Sequence, residues 1–259
     1  TGLYLQGNTC PMRFLVVTLS LVLNFSVLYA QEKPATYVIV HGAWGGSWAF
    51  KEVDSLMTAE GHVVYRPSLT GQGERVHLAS PEITLSTHIN DVVNMILFEK
   101  LTDIVLVGHS YGGMVITGVA ERIPERIRKL VYLDALLPVD GESLVSAMPG
   151  GGEWLKSMEK EGMIVPAWVR PEQPYPKDVP QSLKTFTEPL SLKNAAAKSL
   201  PGVYILTIDP GKTAAEDDFA AFAKRARDRG YKYIEMIADH NPQWSKPREL
   251  AELLLEAGK

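Results

Sequence analysis

The stretch Leu106–Gly113, LVGHSYGG, sets one serine among glycines at the end of an apolar run. Glycine lets a backbone turn sharply and approach another closely where a Cβ would collide. G-x-S-x-G after a strand and before a helix is the pattern of a nucleophile elbow, with Ser110 exposed at the tip of the turn. The motif is short, so its context has to carry it.

That context is a run of alternating strands and helices. TYVIVHG reads as a buried strand, SWAFKEVDSLMTAEG as a helix with Trp48, Val53, Leu56 and Met57 on one face, and HVVYRP as a second strand. Thr84 to Lys100 reads as a helix with Leu85, His88, Ile89, Val92, Val93, Ile96 and Leu97 near one side. DIVLVG is a third strand running into Ser110, and YGGMVITGVAERIP a helix stopped by Pro124. Leu130 to Leu133, VYILTID and YKYIEMI give three more strands, and helices are expected over Asp217 to Arg229 and Lys246 to Ala257. Strands alternating with helices predict an α/β fold, a mostly parallel sheet of about six strands covered on both faces.

Between the fourth and fifth strands, residues 135–201 hold nine of the 17 prolines and no apolar strand. That is too long for a plain connection, so a small cap insertion is expected, with residues 31–134 and 202–259 as the core. Leu136, Leu137, Met148, Trp154, Met158, Met163 and Trp168 are expected to give the cap an apolar lining.

The N-terminal residues follow other rules. Residues 1–11 read as a scar or misplaced start, and 12–30, MRFLVVTLSLVLNFSVLYA, as a secretory signal peptide cut after Ala30. The competing reading is a retained membrane anchor, since the apolar run approaches spanning length. Export predicts a secreted or periplasmic protein without stable membrane association. Cys10 is the single cysteine and precedes Met12, so the exported chain has neither disulfide nor thiol nucleophile. A net charge of −4 with no basic run argues against nucleic acid as a partner.

A serine hydroxyl needs a base within hydrogen-bond reach and a carboxylate to orient that base. The elbow plan orders them Ser, acid, His, on loops after later strands. His240, after the sixth strand, is the one histidine beyond Ser110. Asp209, after the fifth strand, is the expected acid, and Asp134, at the end of the fourth, is the alternative. Backbone N–H groups of Ala43 and Tyr111 are expected to form the oxyanion hole. Gly42, Trp44, Leu136 and Trp244 are expected around a small-molecule ester. His41 and His109 are read as structural. The histidines show no metal spacing, GQGER lacks a dinucleotide fingerprint, and no cofactor is called for.

On these motifs the chain resembles the α/β-hydrolase superfamily from Tyr37 to Leu255, apart from the cap. VIVHGAWGGSW, LVGHSYGG and KLVYLDALLPVDGESL are similar to the small methylesterase and hydroxynitrile-lyase group. ILTIDPGK with ADHNPQWSKPRELAELL resembles a bacterial esterase branch. The lyases of that group carry threonine and lysine where this chain has Gly42 and Asn241. The resemblance therefore implies an ester hydrolase, and with the Ser110 elbow the expected activity is that of a serine carboxylesterase on small or aryl esters. The alternatives are a lyase-like enzyme and a non-catalytic binding protein on the same scaffold.

Overall fold

Six strands form one parallel sheet in a computed structural model that describes residues 1–4, 7 and 34–259. The expected signal peptide, 12–30, lies outside the described residues, as does Cys10. The chain divides into Thr1–Lys33 and Pro34–Lys259. In the first unit, residues 1–4 and 7 carry no regular secondary structure. No helix of the described residues is long and apolar enough to cross a membrane.

In Pro34–Lys259 the elements run β1 (Thr36–Val40), α1 (Lys51–Ala59), β2 (Val63–Tyr65), α2 (Leu85–Phe98), β3 (Ile104–His109), α3 (Gly112–Arg122) and β4 (Ile127–Leu133). The insertion follows: α4 (Leu144–Ala147), α5 (Gly151–Met158), β5 (Glu159–Lys160), β6 (Met163–Ile164), β7 (Gln181–Ser182), α6 (Lys184–Thr187) and α7 (Ala195–Lys198). The chain closes with β8 (Gly202–Ile208), α8 (Ala220–Asp228), β9 (Lys232–Ile237), α9 (Pro242–Ser245) and α10 (Pro247–Gly258). The large sheet has the order β2-β1-β3-β4-β8-β9.

Period-two alternation sorts the strand side chains between two cores. Val38, Leu106, Leu130, Tyr132, Tyr204 and Leu206 pack with α2, α3 and α8. Tyr37, Ile39, Val105, Val107, Val131 and Ile205 pack on the opposite face with α1 and α10. Burial on both faces is why these strands read as continuous apolar runs.

α2 starts at a reciprocal cap: Thr84 Oγ1 accepts from Thr87 N–H at 3.3 Å, and Thr87 Oγ1 accepts from Thr84 N–H at 3.2 Å. Leu85, His88, Ile89, Val92, Val93 and Ile96 are buried as the periodicity predicts, whereas Leu97, one position round the helix, is 40% exposed. The insertion differs from expectation in holding strands. β5, β6 and β7 form an antiparallel sheet of two-residue strands, too short to register as a strand pattern. Its first residues are pinned to the elbow, since Leu136 N–H donates to Ser110 O at 3.1 Å.

Candidate active site

At the C-terminal edge of the sheet, β3 passes into α3 through Ser110 with no intervening loop. Ser110 has φ of 54°, a left-handed conformation rare for a side-chain-bearing residue. The neighbouring glycines permit the turn: a Cβ on Gly108 would lie 2.7 Å from Gly112 O, and one on Gly112 would lie 2.6 Å from Val40 O. This close packing seats the start of α3 against the loop after β1, bringing the Tyr111 and Ala43 segments together.

His240 follows β9, three strands away across β4 and β8. Its Nε2 accepts from the Ser110 hydroxyl at 3.0 Å, and its Nδ1–H donates to Asp134 Oδ2 at 2.6 Å. Asp134 is 1% exposed, and its other oxygen accepts from Thr207 N–H at 3.1 Å. With φ of 43°, the residue turns at the end of β4 to aim its carboxylate across β8. Ser110, His240 and Asp134 thus form one hydrogen-bonded row.

Asp209 is a correction to the expected site. It stands at the surface and pairs with Lys212 Nζ at 2.7 Å, and its carbonyl accepts from Lys212 N–H at 3.0 Å. Asp-Pro-Gly-Lys closes as a turn with Gly211 at φ of 90°, which directs the carboxylate to Lys212. Pro and Gly at the central positions of that turn are a signal the sequence carried.

The structural reading of His41 and His109 fits their contacts. His41 is buried, donates from Nδ1 to Gly42 O at 2.8 Å, and accepts at Nε2 from Leu69 N–H at 3.1 Å. Burial lowers its pKa to about 4. His109 donates from Nε2 to His240 O at 2.8 Å, and burial, helped by the nearby His240, lowers its pKa to about 3. Burial thus favours the neutral ring in both.

Of the expected contact residues, Trp44 is 9% exposed and sits among Trp154, Trp168 and Phe186, at ring separations of 5.6, 5.1 and 5.5 Å. Phe186 also meets Tyr111 at 5.6 Å, linking this cluster to the residue after Ser110. Leu136 is buried in the core. Trp244 is half exposed and stacks on Trp48 at 5.5 Å. Sequence reasoning missed Phe219, whose ring lies parallel to His240. Among the described residues no group of His, Cys, Asp and Glu is arranged to hold a metal ion.

Fold and elbow together define a class. Residues 37–253 match the family model for the alpha/beta hydrolase family, and the chain belongs to that family, in its methylesterase-like group. It is 38% identical to a carbendazim hydrolyzing esterase from Nocardioides sp. (strain SG-4G), over 86% of this chain and all of that one. It is 24% identical to Methylesterase 1 from Arabidopsis thaliana, over 87% of this chain and 97% of the relative. Among solved structures it is similar to an extracellular alpha/beta-hydrolase from a Paenibacillus species, with a TM-score of 0.73 and 25% identity over 87% of this chain and 100% of that one.

Proposed function

We propose that this protein is a serine carboxylesterase that hydrolyses small or aryl esters through an acyl-enzyme. The observation that carries the reading is the row Ser110–His240–Asp134, with Ser110 held at a strained elbow. Ser110 Oγ attacks the ester carbonyl as His240 Nε2 takes its proton, and Asp134 stabilises the imidazolium. Backbone N–H groups of Ala43 and Tyr111 receive the oxyanion. Collapse expels the alcohol, which takes the proton back from His240. Water then attacks the acyl group by the same route and restores Ser110.

The aromatic cluster around Trp44 fits an ester carrying a flat ring. The relative named for hydrolysing carbendazim supports including carbendazim in the substrate panel. An extracellular relative supports export by way of residues 12–30.

Lyase chemistry is disfavoured by space as well as charge. A Cβ at Gly42 would lie 3.0 Å from His109 Nδ1 and 3.2 Å from Ser110 Cβ, so a threonine there crowds the His109 ring and the Ser110 side chain. Asn241, in place of the lyases' lysine, is neutral and accepts from Gln243 Nε2 at 3.0 Å. The deciding experiment compares p-nitrophenyl acetate, mandelonitrile and an active-site fluorophosphonate. Hydrolysis and labelling, both lost in Ser110→Ala, with cyanohydrin cleavage at background, are the expected results. Ester turnover by Ser110→Ala within tenfold of wild type removes Ser110 as nucleophile, and equal turnover of both substrates removes the distinction from lyases.

A further inference from the structure

The segment after β8, where the acid was expected, delivers an aromatic ring instead. Phe219 is 8% exposed, and its ring lies 5.0 Å from the His240 imidazole, centre to centre, with an interplanar angle of only 10°. On the same imidazole the His109 ring sits at 4.9 Å, tilted by 37°. His109 also fixes the His240 carbonyl through its Nε2–H.

Phe219 is held by its own neighbourhood. Thr213 and Glu216 cap each other, with Thr213 N–H donating to Glu216 Oε2 at 2.7 Å. Asp217 Oδ1 then accepts from Phe219 N–H at 2.8 Å, setting the entry to α8. Phe222, one turn on, meets the Phe219 ring at 6.0 Å. The ring is therefore in place before substrate arrives.

We infer that Phe219 is a positioning residue for His240, holding the imidazole against Asp134 and favouring the imidazolium formed during turnover. The inference rests on the esterase reading. A cation over an aromatic face is stabilised by the ring quadrupole. The polar groups facing or near the imidazole are Asp134 from the turn after β4, Ser110 and His109 from the elbow, and Asp217 from the segment before α8. Burial first, and then the charge of Asp134, raises the Asp217 carboxyl above the ordinary carboxylate range. Asp134 fixes the imidazole from one edge, while Phe219 restrains its face.

The test uses Phe219→Leu, which keeps bulk without a ring, and Phe219→Tyr, which keeps the ring. Pentafluorophenylalanine at position 219, installed by codon suppression, keeps the shape and reverses the quadrupole. Phe219→Leu is expected to lower kcat roughly tenfold with KM within twofold, and to move the acid limb down by about half a pH unit. The fluorinated ring moves the limb in the same direction, and Phe219→Tyr restores wild-type behaviour. An NMR titration of His240 Hε1 reads the same midpoint without substrate, and its ring-current shift vanishes in Phe219→Leu. If Phe219→Leu and the fluorinated protein leave kcat and both midpoints unchanged, the inference is overturned. Should Phe219→Leu fail to fold, the fluorinated protein decides alone. Absence of fluorophosphonate labelling in wild type defeats the esterase reading instead, and the NMR midpoints then judge Phe219 separately.

Discussion

The choice between Asp134 and Asp209 turns on where each carboxylate is aimed. Asp134 is buried and bonded to both His240 and the Thr207 amide, whereas Asp209 spends its charge on Lys212 at the surface. Asp134→Asn is expected to cost on the order of 10⁴ in kcat, because an amide facing Nδ1 no longer fixes the tautomer or stabilises the imidazolium. Asp209→Asn is expected to stay within about threefold of wild type, since an exposed pair contributes little. Steady-state kinetics on a chromogenic ester, with circular dichroism to check the fold, ranks the two. The reverse ranking returns the acid to Asp209.

At the scale of elements, the elbow depends on β3, α3 and the loop after β1 touching without side chains between them. A Cβ on Gly112 would lie 2.6 Å from Val40 O and 2.9 Å from His41 O, both backbone atoms that cannot swing away. Gly112→Ala is therefore expected to destabilise by about 2–3 kcal/mol, in the upper part of the range for overpacking. It should also reduce kcat by displacing the Tyr111 and Ala43 amides. Urea unfolding and ester kinetics check both effects, and a fully stable, fully active variant refutes the packing account. α2 shows the reach of periodicity: six buried positions follow the helical repeat, but Leu97 falls off the stripe. Apolar character alone did not reveal that rotation.

Across the whole molecule, three histidines are buried as neutral rings. Desolvation lowers His41 and His88 to about 4 and His109 to about 3. In the unfolded chain each protonates near the ordinary histidine value of about 6.5. Below that pH the unfolded state binds protons the folded state refuses, so stability falls as pH falls. The loss is complete only once the folded values have been passed. Within this window each fully protonated unfolded histidine contributes about 1.4 kcal/mol per pH unit. Urea midpoints measured from pH 7 to pH 4.5 should fall steeply, and His88→Gln should reduce the slope by close to one proton. A flat stability profile over this range contradicts burial of these rings as neutral species.

The strand and helix alternation, the parallel sheet, the elbow at Ser110 and the loop carrying His240 were all legible along the chain. Each is written in local pattern: apolar runs bounded by glycine, helical repeats, and a serine flanked by small residues. The order β4-β8-β9, which puts Asp134 within reach of His240, was decided by tertiary structure. Strand adjacency follows from packing both sheet faces, and no local pattern near Asp134 encodes its distance to a residue 106 positions away. The Asp-Pro-Gly-Lys turn was legible, but its consequence for Asp209 appears only when the rival carboxylate is placed. The insertion was decided in the same way, because its two-residue strands gain stability from one another and from the core rather than from their own composition. Phe219 reads in sequence as one more apolar residue, and only the fold lays its ring on the imidazole.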